Sequence, residues 1–238
     1  MKNIAVILAA GIGKRLGNAL PKQFLKLNKK AVILYSVEAF QAHPEIDEIL
    51  IVTHADYLAQ TKELIDLKNH SKVKEIIIGG KERYHSSIAA IEACKKIKDK
   101  ENLNLIFHDA ARPLINNTII TRVIECLDKF SAVDTAIPTT DTILIVDDNL
   151  NIKEIPNRSI LFNSQTPQAF RYPIIKEAYE HALKDPNFTT ADDCKTVKKY
   201  LPEINIHIVL GDTQNMKLTH PEDITILEKL VFSRQKAK

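Results

Sequence analysis

The alternation of short apolar runs with segments of helical periodicity is the feature that most constrains the fold of this chain. The first run, Ile4–Leu8, has no polar interruption, which is typical of a strand covered on both faces of a sheet. Strand-like and helical segments then succeed each other, as they do in βαβ units. The sequence therefore predicts a doubly wound α/β fold with a mainly parallel sheet.

The individual elements follow from periodicity and capping signals. The predicted strands are Ile4–Leu8, Glu48–Thr53, Lys74–Ile78, Leu103–Phe107, Val133–Ile137 and Ile206–Leu210. The predicted helices are Ile33–Ala42, Asp56–Leu67, Ser86–Lys98, one running from an N-cap at Asn117 to Lys129, Ile174–Leu183, Ala191–Lys199 with Thr190 as a candidate cap, and one starting at Pro221. A length of 238 residues fits one large domain or two small ones. We expect a single domain over residues 1–238.

A hairpin is predicted between residues 139 and 158, where the α/β rhythm changes. Two β-prone runs, Thr142–Val146 and Asn151–Ile155, flank the turn-rich Asp147–Asn149. The run 143–146 puts apolar side chains on both faces, and an isolated two-stranded hairpin is marginal in water. These features favour an arm that protrudes and forms a dimer, and packing of the hairpin on its own domain is the alternative.

Composition and charge exclude several classes of protein. The 33 Lys and Arg residues against 30 Asp and Glu give a net charge of +3, too small an excess to coat a nucleic-acid duplex. Charge between Gly11 and Arg15 ends the first apolar run before a signal sequence or a membrane span could be completed. The three cysteines fit neither a disulfide framework nor a zinc-ligand spacing. We expect a cytoplasmic protein without nucleic-acid or membrane partners.

A glycine-rich, basic loop follows the first strand. It contains, together with the segment up to residue 24, Gly11, Gly13, Gly17, Lys14, Arg15 and Lys22. Glycine lets the backbone approach a ligand and turn N–H groups toward an anion, which nearby cations neutralise. The spacing is one residue too long for a dinucleotide fingerprint, and no Gly-Lys-Ser/Thr closes it as in a P-loop. The loop predicts polyphosphate binding, and a plain βα turn with solvated basic residues is the alternative.

Several segments along the chain carry a more specific resemblance. They are Leu8–Arg15 with Pro21–Phe24, Gly79–Arg83, His108–Pro113, Gln165–Phe170 and Asn215–Asp223. In this order they resemble the small cytidylyltransferases of the sugar-nucleotide pyrophosphorylase superfamily over nearly the whole chain. The resemblance implies a Rossmann-like fold of the nucleotide-diphospho-sugar transferase type, a homodimer formed through the arm, and Mg²⁺ as cofactor. It also implies the reaction, in which CTP and a polyol phosphate give a CDP-polyol and pyrophosphate.

The family resemblance leaves two polyol phosphates open, ribitol 5-phosphate of cell-wall and capsule synthesis and 2-C-methyl-D-erythritol 4-phosphate of isoprenoid synthesis. Ala191 stands where the methylerythritol enzymes usually carry a threonine, whereas Ala111 argues for the methylerythritol group. Other segments resemble the ribitol enzymes more: Asp134–Ala136 with Asp141–Ile143, Ile155–Arg158 and Asp192–Cys194. We expect ribitol 5-phosphate, with methylerythritol phosphate as the alternative. An NDP-sugar pyrophosphorylase using another nucleotide and a non-catalytic nucleotide-binding module are more remote alternatives.

The resemblance also assigns roles to single residues. Charge stabilisation during catalysis is implied for Arg15, Lys22 and Lys217. CTP binding is implied for Ala9, Ala10, Gly11, Gly13, Gly80, Arg83, Ser86, Asp109 and Ala110, with Asp109 also the expected Mg²⁺ ligand. Binding of the polyol phosphate is implied for Arg112, Thr142, Arg158, Thr166 and Asp192, where Thr142 and Arg158 would reach into the neighbouring subunit's site.

The chemistry of such a transfer makes little demand on acid–base catalysis. A phosphate monoester has a second pKa near 6, so the nucleophile is already ionised at neutral pH. Catalysis then consists of positioning and charge neutralisation. We therefore expect His108, although it ends a strand at the predicted site, to make structural hydrogen bonds rather than to move protons.

Overall fold

The computed structural model describes residues 1–11, 20–66 and 68–236. Its strands are β1 (Lys2–Ala9), β2 (Lys26–Leu27), β3 (Lys30–Ala31), β4 (Glu48–Thr53), β5 (Val73–Ile78), β6 (Leu103–Asp109), β7 (Ala132–Pro138), β8 (Ile145–Val146), β9 (Ile152–Glu154), β10 (Phe162–Arg171) and β11 (Ile206–Leu210). Its α-helices are α1 (Val32–Ala42), α2 (Leu58–Leu64), α3 (Arg83–Ala93), α4 (Asn117–Leu127), α5 (Tyr172–Ala182), α6 (Asp193–Tyr200) and α7 (Glu222–Lys236).

A seven-stranded sheet in the order β11-β7-β10-β6-β1-β4-β5 forms the centre of the molecule. Its neighbouring strands are parallel except at β10, which runs antiparallel to both β6 and β7. Alternate residues of β1 point to opposite faces: Ile7 packs with α1 and α4, and Val6 packs with α3, α5 and α6. The predicted doubly wound, mainly parallel α/β fold and its buried first strand are confirmed.

A smaller apolar cluster fixes the C-terminal part of the chain near one end of the sheet. Leu227 and Val231 of α7 pack with Leu27 of β2 and with Leu114, which follows β6. Leu218 joins this cluster, and its backbone N–H donates to the carbonyl of Ala111 at 2.8 Å. The segment just before α7 is thereby held against the carboxyl end of β6.

The strand β10 has no counterpart in the sequence-based prediction. Its ten residues include Pro167, which cannot donate a ladder hydrogen bond, and its pairing with β7 shifts register between Ser164 and Gln168. The sequence of β10 therefore shows neither the alternating nor the continuous apolar pattern by which a strand is recognised. The residues nevertheless form a central strand because β6 and β7 pair with it on both sides.

Several predicted helix limits are wrong, and side-chain capping explains the clearest cases. Helix α3 begins at Arg83 rather than Ser86, because the Glu82 carboxylate and the His85 ring form a reciprocal capping box. The cap of α4 is Asn116, not Asn117, and its side chain accepts from the N–H of Ile119 at 3.0 Å. The cap of α6 is Asp192 rather than Thr190.

Other helices differ at one or both ends from the predicted spans. Helices α3 and α4 end at Ala93 and Leu127, before the predicted Lys98 and Lys129. A short 3-10 turn at Ala55–Tyr57 precedes α2, which ends at Leu64; Leu67, the predicted end, lies outside the described residues. Helix α5 starts earlier than predicted, at Tyr172, and α7 starts one residue after Pro221. No described helix is long and apolar enough to cross a membrane.

The predicted hairpin is present between β7 and β10, but its paired strands are shorter than the runs predicted for them. Strands β8 and β9 form a two-stranded sheet of their own, and the Asp147 carboxylate holds the turn by accepting from the backbone N–H groups of Asn149 and Asn151. Its apolar side chains are exposed in the single chain, with Leu150 at 81% and Ile152 at 57%. The hairpin thus does not pack on its own domain.

Candidate active site

A cleft of about 150 Å³ opens at the carboxyl ends of β1 and β6 and beside the chain that follows β5. This is the edge at which parallel α/β sheets bind their ligands. The cleft is lined by Leu8, Ala9, Ala10, Gly11, Lys22, Gln23, Gly80, Lys81, Glu82, Arg83, Ser86, Asp109, Ala110, Ala111 and Lys217. Segments far apart in the sequence therefore converge on one site.

The cleft brings together most of the residues that were predicted to bind CTP or to stabilise charge. These are Ala9, Ala10, Gly11, Lys22, Gly80, Arg83, Ser86, Asp109, Ala110 and Lys217. Gly13 and Arg15 lie outside the described residues. Five lining residues, Leu8, Gln23, Lys81, Glu82 and Ala111, were missed, although each is a direct sequence neighbour of a predicted site residue.

Lys22 reaches the cleft because the next side chain is anchored in the core. The buried Gln23 donates from its amide nitrogen to the Ala9 carbonyl at 2.6 Å. Phe24 is buried as well, so the short turn from Lys22 to Phe24 is fixed on the end of β1. Lys22 and Gln23 of this turn line the cleft, and Lys22 is the one that carries a charge.

The strand end at Gly79 also needs its small residue. A Cβ atom built on Gly79 would lie 2.9 Å from the Cβ of Ala10 and 2.9 Å from a methyl carbon of Val52, too close for either to remain in place. The absent side chain lets the chain after β5 approach the chain after β1. Gly80 and Ser86 thereby come to the same cleft as Ala10 and Gly11.

Asp109 at the end of β6 carries the main negative charge of the cleft and pairs with two cations. Its carboxylate accepts from the Lys217 ammonium at 2.6 Å, and it lies 3.5 Å from Nε of Arg83. Burial alone would raise the pKa of this carboxyl, but Lys217 and Arg83 outweigh burial and hold the pKa far below its ordinary value. Asp109 is therefore ionised at every physiological pH.

Arg83 is bound in turn by a second carboxylate behind the cleft. Its Nη1 donates to the fully buried Asp193 at 2.6 Å, and the Tyr179 hydroxyl donates to the other oxygen of Asp193 at 2.5 Å. Burial alone would lower the pKa of Arg83, but Asp193 and Asp109 raise it above its ordinary value. Asp193 and Tyr179 were not predicted as site residues, since only the packing of α5 and α6 brings them to Arg83.

His108 has the structural role expected of it. Its Nε2 lies 3.1 Å from the Arg112 carbonyl, which can only accept, so Nε2 carries the proton and Nδ1 accepts from the Thr166 hydroxyl at 3.1 Å. The same hydroxyl accepts from the N–H of Asp109. Burial lowers the pKa of His108 to about 4, which keeps the ring neutral. This chain of hydrogen bonds fixes the backbone from which Asp109 enters the cleft.

The residues predicted to bind the polyol phosphate do not line the cleft of the single chain. Arg112 donates to the backbone carbonyl of Asn215 at 2.7 Å, Thr166 is buried behind Asp109, and Asp192 caps α6. Thr142 and Arg158 lie on the exposed hairpin, where Arg158 donates to the Thr140 carbonyl at 3.1 Å. A direct contact of these five residues with a substrate stays a prediction.

Comparison with known proteins identifies the relatives of this site. A family model described as IspD, 2-C-methyl-D-erythritol 4-phosphate cytidylyltransferase, matches residues 3–233. The chain is 39% identical over 231 residues to the 2-C-methyl-D-erythritol 4-phosphate cytidylyltransferase of Thermobifida fusca, which covers 95% of this chain and 92% of that protein. A solved structure of 4-diphosphocytidyl-2C-methyl-D-erythritol synthase from Anaerococcus prevotii superimposes with a TM-score of 0.83 at 27% identity, over 97% of this chain and 98% of that one.

A further relative has two named activities. The chain is 44% identical over 234 residues to the bifunctional ribulose 5-phosphate reductase/CDP-ribitol pyrophosphorylase Bcs1 of Haemophilus influenzae. The match covers 98% of this chain but spans only about half of that protein, 49% of its length. The predicted resemblance to cytidylyltransferases is confirmed: the chain belongs to the IspD family and is a CTP-dependent cytidylyltransferase.

Proposed function

We propose that this enzyme transfers the cytidylyl group of CTP to 2-C-methyl-D-erythritol 4-phosphate and releases pyrophosphate. The observation that carries this proposal is the family match over residues 3–233, which spans every segment that forms the cleft. The Thermobifida fusca relative, 39% identical, bears the name of the same activity. The preference for ribitol 5-phosphate expected from the sequence has weaker support.

Two residues that favoured ribitol 5-phosphate, Asp192 and Asp193, are engaged in hydrogen bonds within the protein. Both oxygens of Asp192 accept hydrogen bonds, from the backbone N–H of Lys195 at 2.7 Å and from the Gln168 amide at 2.7 Å. Asp193 is fully buried and pairs with Arg83 and Tyr179. These carboxylates are therefore poor candidates for recognising additional substrate hydroxyls.

The charges of the cleft suit an in-line attack on the α-phosphorus. The monoester nucleophile needs no base, because its second pKa lies near 6. Lys22 and Lys217 line the cleft from segments at opposite ends of the chain, so cations can flank a bound triphosphate. Gly80 and Ser86 line the same cleft and, on this proposal, meet the nucleoside end of CTP.

Asp109 fits a role as magnesium ligand. Mg²⁺ in nucleotide enzymes is commonly bound by one or two carboxylates, with phosphate oxygens and waters completing the octahedron. Within residues 1–11, 20–66 and 68–236, no group of three or more His, Cys, Asp or Glu side chains could hold a metal ion by itself. Asp109, which is ionised and lines the cleft, would bind the ion together with CTP. Bound there, Mg²⁺ would neutralise charge that develops on the phosphates.

The second candidate function uses D-ribitol 5-phosphate as acceptor. The observation in its favour is the 44% identity with the Haemophilus influenzae protein whose name includes CDP-ribitol pyrophosphorylase. Because the two acceptors share the phosphate and differ in the carbon skeleton, the cations of the cleft cannot discriminate between them. The wall around the polyol chain must do so.

A parallel assay decides between the two acceptors. Pyrophosphate release is measured with CTP and each polyol phosphate, and with CTP alone as the control. We expect methylerythritol phosphate to show a kcat/KM at least about tenfold higher than ribitol 5-phosphate, a difference of about 1.4 kcal/mol in transition-state binding. A preference for ribitol 5-phosphate would establish the second function, and turnover of neither would refute both.

We further propose that the arm makes this enzyme a homodimer and that it acts in the cytoplasm. The exposed apolar side chains of the arm, among them Leu144, Ile152 and Ile155, favour a covering partner, and a second copy of the chain would bring an identical apolar arm. All three cysteines are free, which suits a reducing compartment.

A further inference from the structure

Two cations share the carboxylate of Asp109, but the protein holds them very differently. Arg83 is also bound from behind by Asp193, whose side chain is 0% exposed, at 2.6 Å. The Lys217 side chain is 34% exposed, against 18% for Arg83. Lysine carries a point charge on a flexible stem, whereas arginine can bridge two acceptors with its planar fork.

The position of Asp193 makes it a firm anchor for Arg83. It is the first residue of α6, where the helix dipole favours a negative charge. The Tyr179 hydroxyl donates to its second oxygen, and its backbone N–H donates to the Gln168 amide oxygen at 3.2 Å. Contacts from α5, α6 and β10 therefore fix the carboxylate that Arg83 binds.

Binding of a triphosphate brings additional negative charge close to Lys217 and Arg83. Several phosphate charges near Lys217 compete with Asp109 for its ammonium, and Lys217 is the cation with room to move. A buried carboxylate that loses its cation is strongly destabilised unless another cation stays with it. Arg83 stays only if something opposes its own attraction to the phosphates.

Building on the proposed cytidylyl transfer, we propose that Asp193 is a positioning residue that retains Arg83 on Asp109 when Lys217 leaves Asp109 for the phosphates of the nucleotide. Asp193 itself does not line the cleft, so it acts through Arg83. Asp193, Arg83, Asp109 and Lys217 form a row of alternating charges. Asp193 fixes one end of the row, and Lys217 at the other end can move to the substrate.

The substitution Asp193→Asn tests this role because the amide keeps the shape and can still accept from Arg83, but has no charge. Arg83 is then drawn toward the triphosphate, and Asp109 keeps Lys217. We expect kcat for pyrophosphate release to fall at least tenfold while KM for CTP stays the same or decreases. A merely structural role would instead raise KM and lower kcat together, and that result would overturn the proposal.

A double-mutant cycle with Arg83→Gln asks whether Asp193 acts through Arg83. In the Arg83→Gln background, Asp193→Asn should lower kcat by no more than about twofold further. Independent, multiplicative losses in the double variant would contradict the proposal.

A matched control removes a tyrosine–aspartate hydrogen bond at the other end of α6. The Tyr200 hydroxyl donates to Asp185 at 2.6 Å, and neither residue lines the cleft. Tyr200→Phe leaves Asp193 and Arg83 unchanged, so we expect a lower melting temperature but a kcat within about threefold of the parent enzyme. A loss in Tyr200→Phe as large as that in Asp193→Asn would show that general destabilisation explains both and would refute the proposal.

A second variant covers the case in which Asp193→Asn does not fold. Arg83→Lys keeps the charge, but its single ammonium cannot bridge both carboxylates, so kcat should again fall at least tenfold; an unchanged kcat would refute the need for the bridge. Inactivity of the parent enzyme with every polyol phosphate would instead refute the proposed function, which separates the two failures.

Discussion

Lys22 illustrates how a charged residue obtains a defined position from its uncharged neighbours. Gln23 and Phe24 are buried, and Gln23 bonds the Ala9 carbonyl, so the turn that carries Lys22 cannot drift from the end of β1. The lysine contributes charge to the cleft rather than packing to the core. Its removal should therefore affect catalysis far more than stability.

We predict that Lys22→Ala lowers turnover at least about a hundredfold and leaves the fold intact, because it removes charge stabilisation of the transition state. Steady-state pyrophosphate release and circular dichroism measure the two effects. Lys26→Ala is the control, since Lys26 is exposed on β2 and outside the cleft lining. Near-normal turnover of Lys22→Ala would refute its assignment to the phosphates.

Two buried groups titrate with opposite effects on stability. Burial lowers the pKa of His108 from 6.5 to about 4. Below pH 6.5 the unfolded chain therefore binds a proton that the folded protein does not bind, and the free energy of unfolding decreases as the pH is lowered. Burial raises the pKa of Asp134 from 3.8 to about 6, so here the folded protein binds the additional proton and stability increases as pH falls. Between pH 6 and 4 the two contributions oppose each other.

We predict that Asp134→Asn makes the effect of His108 on the pH dependence of the unfolding free energy visible. Relative to the parent enzyme, the variant should lose about 1.4 kcal/mol of unfolding free energy per pH unit between pH 6 and 4. Urea denaturation of both proteins at several pH values measures the difference in slope. Parallel pH dependences would show that Asp134 is not the opposing group.

At the scale of elements, the start of α4 offers a direct comparison of two adjacent asparagines. The sequence predicted Asn117 as the cap, but the structure shows Asn116 accepting from the N–H of Ile119. We predict that Asn116→Ala lowers the unfolding free energy by about 1 kcal/mol, whereas the exposed Asn117→Ala changes it by a few tenths at most. Chemical denaturation distinguishes them, and an equal or larger loss in Asn117→Ala would contradict the observed cap.

Which elements could be predicted depends on where their determinants lie. Strands β4 and β11 match their predicted limits at both ends, because each is a local apolar run that ends abruptly. Strand β10 could not be recognised, because its pairing with β6 and β7, rather than its own interrupted pattern, makes it a strand. Sequence patterns reveal an element only when its own residues determine it. Strand β10 is determined by pairing with β6 and β7, which are distant in the sequence.

The residues of the site also differ in whether the sequence alone could predict them. Lys22, Gly80 and Asp109 belong to short motifs that resemble a known family, so they could be assigned from the sequence. Asp193 and Tyr179 act on the cleft only because α5 and α6 pack beside α3, a tertiary arrangement that no short motif encodes. Sequence reasoning thus found most of the residues that line the cleft and missed the contacts of Asp193 and Tyr179 that hold Arg83 in place.

At the scale of the whole molecule, the arm predicts an assembly in which each site uses residues of two chains. If Arg158 completes the neighbouring site, mixed dimers of Lys22→Ala and Arg158→Ala subunits contain one intact site and one doubly defective site. Random exchange of subunits should then restore about a quarter of the parent activity. Sedimentation measures the oligomer and a mixing time course measures the rescue. A monomer, or no rescue despite demonstrated exchange, would contradict shared sites.

The central place of β10 also determines when the sheet can be completed during synthesis. Strands β6, β1, β4 and β5 adjoin one another and lie within the first 109 residues, whereas β7 and β11 join them only through β10. A nascent chain can therefore build half of the sheet early, but the outer edge of β6 has no partner until residue 171 has been made. An unpaired apolar edge is a template for association with other chains. While residues 109 to 171 are being synthesised, we therefore expect the edge of β6 to be open to pairing with other chains.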